Sequence, residues 1–186
     1  MKREQIKELA YMGMYLALYF VLDWLAHVIP FFQMPLGGSL GLGTIALLLC
    51  AYHLGVRDGI VVSLLTILIS FMTSRIYLVQ SNDGFSLWQI ILQFMMEYPI
   101  AYGIYGLAPL FPNYKWFFSG IVITNLIRLA LHTIAGTIYW ATPWGASFSY
   151  NAWYMIPTMI LGVVLIPVLA NRLKKLGLEF KSNIPD

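Results

Sequence analysis

Long apolar runs separated by short polar breaks occupy the chain from about residue 8 to residue 172. A bilayer is crossed by roughly 20 apolar residues; with Pro, Gly and charge as punctuation, the pattern predicts helices near 8–29, 57–76, 88–111, 116–140 and 152–172. A sixth, 41–54, is one or two turns short of a full span, so it has to tilt, thin the bilayer or begin beneath a loop. The connections fall into two kinds. "GVRDG" and "FPNYKW" are short and charged, whereas "PFFQMPLGGS", "YLVQSNDGFS" and "ATPWGASFSYN" are longer and rich in Gly, Pro, aromatics and amides. Backbone that is not helical near membrane depth must be buried in protein or line a wet cavity, so the longer set is expected to cover a site. No internal repeat and no low-complexity tract interrupts the pattern.

Composition turns this pattern into a fold class. The chain is 60% hydrophobic and 10% charged, with mean hydropathy +0.75, well above a soluble domain's apolar share of about half. An all-α integral membrane protein is expected. Charge then selects the span count. With six transmembrane helices, Lys2, Arg3, Lys7, Arg57, Lys115, Arg172, Lys174, Lys175 and Lys181 fall on one side, nine of the eleven basic residues. The positive-inside rule makes that side, and both termini, cytoplasmic. Five spans would divide the same clusters. The expected organisation is one transmembrane domain, 1–186, with short cytoplasmic tails of about 1–7 and 174–186, in a bacterial cell membrane.

Several classes of function drop out. The net charge of +3 sits at the ends of apolar runs and forms no basic stripe for nucleic acid. A single cysteine, Cys50, excludes an internal disulfide and lacks neighbours spaced for a metal. No Gly-Lys pair or HExxH occurs, which removes a P-loop and the common zinc-hydrolase motif. Neither an enzyme nor a cofactor is expected, and active transport would draw on a partner or an ion gradient.

Charge inside the spans marks the candidate site. Asp23, Glu97 and Arg128 lie within apolar runs, where ionised side chains cost several kcal/mol and usually face the bundle interior. One reading pairs Glu97 with Arg128 simply to hold two helices together. A second follows from "RLALHTIAGTIYW", whose spacing of four puts Arg128, His132, Gly136 and, a turn further, Trp140 along one helical face. Tyr98 beside Glu97, together with Asn151, Trp153 and Tyr154, adds an amide and more aromatics. A carboxylate among aromatic faces suits a flat cation with hydrogen-bonding edges. Trp24, Trp88, Trp116 and Trp144 read instead as an interfacial belt. In the first helix Gly13 and Ala17 form a small-xxx-small pair, either a docking face or internal packing.

These residues resemble a known family, the substrate-binding S components of energy-coupling factor (ECF) vitamin transporters, in their thiamine branch of ThiT type. The resemblance runs through "MPLGGSLGLGTIALLLCAYHLGVRDGI", "MEYPIAYGIYGLAPLF", "LHTIAGTIYW" and "YNAWYMIP". It implies a thiamine pocket in the outer half of the bundle formed by Glu97, Tyr98, His132, Trp140 and Asn151, with Gly136 giving the ligand room. It also implies a T subunit docked at Gly13 and Ala17, and two ATPase subunits. Gly37 and Gly38 stand where the family offers an aromatic, and Ala146 where it offers a tyrosine. Another vitamin or precursor, such as hydroxymethylpyrimidine or pyridoxine, is the alternative ligand. A stand-alone secondary transporter is a further reading, although neither inverted repeats nor broken helices support it.

Overall fold

The structure, a computed structural model, describes residues 3–35 and 38–182. Its helices are α1 (Arg3–Val28), α2 (Gly43–Leu54), α3 (Val56–Met72), α4 (Leu87–Met95), α5 (Ser119–Tyr139) and α6 (Trp144–Lys175). Of these, α1, α5 and α6 are long and apolar enough to cross a membrane. A two-stranded hairpin, β1 (Asn113–Tyr114) and β2 (Phe117–Phe118), leads into α5 with Asn113 opposite Phe118.

A short apolar helix, α2, is the centre of the molecule. Every residue of α2 is buried, as expected of a helix that is apolar on all sides. α1, α3 and α6 pack around it, together with the turns that follow α4. Two glycines bring backbones close: a Cβ on Gly59 would lie 2.7 Å from the Ala51 Cβ, and one on Gly106 would overlap the Ile60 backbone. Trp24, Trp88, Trp116 and Trp144 stand exposed on the outside.

Three expected boundaries move. The predicted helix over 88–111 is continuous but not uniformly α: after α4 it passes through a π turn, Met96–Ile100, an α turn, Ala101–Gly103, and a 3₁₀ run, Ile104–Leu110. Pro99 and Pro109 each remove a backbone donor, so the regular ladder cannot persist. At the other end of the chain, α6 begins at Trp144, eight residues before the expected start. Most of "ATPWGASFSYN" is therefore helix, begun by Pro143 at its N-cap, and only a short link joins it to α5. The first helix starts at Arg3, so much of the expected 1–7 tail is helical.

Beyond α6 the chain turns back along the bundle. Lys181 N donates to the His53 carbonyl (2.9 Å) and Ser182 N to the Tyr52 carbonyl (3.3 Å), while Lys181 Nζ meets Glu8 (2.6 Å) and Asp58 (3.7 Å). Phe180 packs on the His53 ring. This strap joins α1, α2 and α3 at one end of the bundle.

Candidate functional site

At the opposite end of α1 and α3, against the middle of α5, a cavity of about 210 Å³ opens between the helices. Glu97 and Tyr98 reach it from the π turn, Arg128 and His132 from α5, Tyr19 and Asp23 from α1, and Tyr154 from α6. Its lining is polar because each charge arrives on an otherwise apolar helix. A second hollow, about 920 Å³, adjoins it and contains Gly136, Trp140, Ala146 and Asn151. The two share His27, Gly38, Ser39, Tyr77 and Tyr150.

The π turn sets the direction of Glu97. One residue more than an α turn carries shifts the faces before and after it, and Gln93, one turn back, is fully buried beneath the carboxylate. Gln93 Nε2 donates to Glu97 Oε2 (2.7 Å) and its Oε1 accepts from Val79 N (2.9 Å), so the amide is fixed at both ends. Glu97 Oε1 lies 3.9 Å from His132 Nδ1, and the Trp140 indole faces the same carboxylate. With side-chain exposures of 12% and 15%, Glu97 and His132 are both sheltered. Tyr98 accepts from Tyr77 N (2.7 Å) and stacks on Phe94, tying the loop after α3 to the π turn.

Arg128 does not pair with Glu97. Its Nη1 donates to the Tyr105 hydroxyl (3.0 Å), which donates to Asn125 Oδ1 (3.0 Å); the Asn125 amide is held by the Ile121 carbonyl (2.8 Å). The guanidinium also lies over the Tyr102 ring at 4.6 Å. Tyrosines thus replace the expected carboxylate. Asp23 pairs instead with Arg75, whose side chain also lines the cavity. His27 extends this cluster: Nδ1 donates to the Asp23 carbonyl (2.7 Å) and Nε2 faces Ser39 Oγ (3.3 Å), linking α1 to the first long connection. Arg128 Nε and His132 Nε2 are buried without a hydrogen-bond partner among the described residues.

The remaining expected residues lie further out. The space at Gly136 is taken by the neighbouring helix: an added Cβ would collide with Ser147 Oγ, which donates to the Thr133 carbonyl (2.9 Å). Gly136 therefore serves helix packing, with its outer side on the larger hollow. Asn151 is held by the Ser147 carbonyl (2.9 Å) and the Tyr154 hydroxyl (2.8 Å). Gly38 is left-handed (φ 77°) and a Cβ there would touch the Tyr154 ring at 3.3 Å, whereas Gly37 lies outside the described residues. Ala146, Tyr150 and Tyr154 follow one another at helical spacing, so two tyrosines continue the wall that position 146 leaves bare. Gly13 and Ala17 are exposed on the side of α1 opposite buried Tyr15 and Tyr19, and a Cβ on Gly13 would meet nothing within 4 Å.

Tyr19, Tyr102, Asn125 and Arg75 are cavity residues that apolar patterning does not single out. Tyrosine on a membrane helix looks like an interfacial anchor, and the path of the loop after α3 has no hydropathy signature. The one available signal is that Asn125 precedes Arg128 by nearly a turn, on the same side of α5.

The family described as "Thiamine transporter protein (Thia_YuaJ)" matches residues 9–178. A protein named Thiamine transporter ThiT, from Bacillus subtilis (strain 168), is 26% identical over 160 residues, covering 75% of this chain and 78% of that one. The solved structure of ThiT from Listeria monocytogenes superposes with a TM-score of 0.64 at 18% identity, over 94% of this chain and 98% of the other. That likeness is one of fold.

Proposed function

Because the chain belongs to the thiamine transporter protein family, we propose that it is the substrate-binding membrane subunit of an ECF-type importer, taking up thiamine through the paired chambers. In this reading six helical segments cross a bacterial cell membrane with both termini cytoplasmic, and the cavity lies in the outer half. Gly13 and Ala17 dock a T subunit that connects to two ATPase subunits. The family is one of transporters, and the relative from Bacillus subtilis carries the same name.

The observation that carries the reading is the setting of Glu97. Its contacts are an amide, an imidazole and an indole, with no arginine or lysine on it among the described residues. A sheltered carboxylate of this kind is stabilised by a cation, and aromatic walls supply the flat surfaces that a thiazolium and an aminopyrimidine need. Glu97 and His132 are the binding pair, Tyr98 shapes the wall, and Trp140 and Asn151 close the outer chamber beside Gly136. Neutral precursors have less use for the charge.

Titration of purified protein with thiamine, read by tryptophan fluorescence, tests this directly. Saturable binding is expected, and Glu97→Gln, which keeps shape while deleting charge, weakens it roughly thirtyfold or more. Equal thiamine affinity in the variant would sink the counter-ion role.

A further inference from the structure

We infer that Arg128 is a specificity-determining residue whose Nε–H donates to one uncharged acceptor atom of the bound ligand, a ring nitrogen or a hydroxyl oxygen. The inference rests on the reading of the cavity as a thiamine site and adds a contact to it. Four observations carry it. Arg128 lines the cavity and is only 8% exposed. Its guanidinium is held in place on one side by the Tyr105 hydroxyl, itself fixed on Asn125, and on its face by Tyr102. No carboxylate forms an ion pair with it among the described residues, since Asp23 contacts Arg75 and Glu97 turns to Gln93 and His132. Finally, Nε is buried without a hydrogen-bond partner among the described residues.

A buried donor left unpaired costs more than the hydrogen bond it forms when satisfied, so a ligand acceptor placed there gains on both counts. His132 Nε2, unpartnered in the same way, stands one helical turn along α5. Two unpartnered buried nitrogens therefore stand one turn apart on the cavity-lining side of α5, about 6 Å along the helix axis, with Glu97 beside the second. This arrangement orients a flat ligand as well as binding it. The fixed, buried edge admits a single lone pair more readily than a tetrahedral anion, which prefers an open bidentate fork.

Thiamine offers three uncharged acceptors: two pyrimidine ring nitrogens and the terminal hydroxyl. Binding of thiamine, of the two analogues with one ring nitrogen replaced by C–H, and of the analogue lacking the hydroxyl is measured for the native protein and for Arg128→Lys. The lysine keeps the charge and loses the Nε–H. Thiamine affinity is expected to fall about ten- to a hundredfold in Arg128→Lys, and one of the three analogues is expected to bind both proteins within about twofold, because its acceptor is already gone. Equal losses for all four ligands would reduce Arg128 to a structural role and overturn the inference while leaving thiamine binding in place. Phosphorylated thiamine binding more tightly than thiamine only when Arg128 is present would overturn it in favour of an anion. Absence of thiamine binding in the native protein would remove the underlying reading and this contact with it. A readout without any variant comes from native protein labelled with ¹⁵N at arginine Nε: the Arg128 Nε–H signal shifts with thiamine and not with the analogue that lacks its acceptor. An unmoved signal with every ligand likewise overturns the contact.

Discussion

Gly136 shows how one missing side chain fixes the distance between α5 and α6. Ser147 fills the space beside it and bonds the Thr133 carbonyl, so Gly136→Ala is expected to displace that serine and cost about 1–3 kcal/mol. Thermal unfolding in detergent measures the loss, and Gly136→Ala combined with Ser147→Gly should recover most of it. Failure of the double variant to recover would place the strain elsewhere on α5. Single residues also show what can be read from a sequence. Glu97, Asp23 and Arg128 stand out because ionised groups within apolar runs need a reason, and all three line the cavity. Their pairings are not legible in the same way. The simplest expectation, Glu97 with Arg128, gives way to Glu97 with Gln93 and Arg128 with Tyr105. Those neutral partners sit four residues back in one case and on a different helix in the other, and nothing in their composition marks them.

At the scale of elements, apolar run length recovers where helices exist better than where they begin. α2 is legible as short, and its place at the centre explains how so short a helix can be one of the six proposed crossings: enclosed by others, it is covered by protein at its ends. The start of α6 is not legible, because "PWGASFSYN" has a loop's composition, while the helix depends on Pro143 at its N-cap and on Ser147 packed into α5. The outward face of α1 supports a test of its own. A bulky residue there blocks close approach of another helix, so Gly13→Trp or Ala17→Trp is expected to abolish uptake in cells while thiamine binding to the purified protein stays within about twofold. Loss of binding would mean that this face packs inside the assembled protein. The π turn makes a sharper forecast. Deleting one residue of the π turn other than Glu97 removes its extra residue, and turns Glu97 by about 100° relative to one of its flanks. Thiamine binding is then expected to disappear even where the helix content measured by circular dichroism is unchanged, and retained binding would deny the turn its role.

For the whole molecule, the topology proposed above predicts accessibility. Single cysteines at 79–85 should react with an impermeant reagent applied outside right-side-out vesicles, while those at 56–58 or 174–181 should not; labelling of the second set would overturn the proposed orientation. The strap carries a separate expectation. The Glu8 carboxylate holds the Lys181 ammonium above its ordinary pKa, so this contact contributes below the usual lysine range and is lost only as pH rises through that raised value. The ion pair is half exposed and screened by solvent, so it adds little to stability. Lys181→Met should therefore leave the melting temperature nearly unchanged while speeding amide exchange at Lys181 and Ser182, and unchanged exchange would show that Phe180 and the backbone bonds anchor the strap without the ion pair. That same strap orders events in biosynthesis. Glu8 precedes Lys181 by 173 residues, so at about 5–20 residues per second the first helix waits roughly 10–35 s on the ribosome for its partner. The chambers at one end can be assembled during that interval, whereas the joint between α1, α2 and α3 at the other is among the last to close.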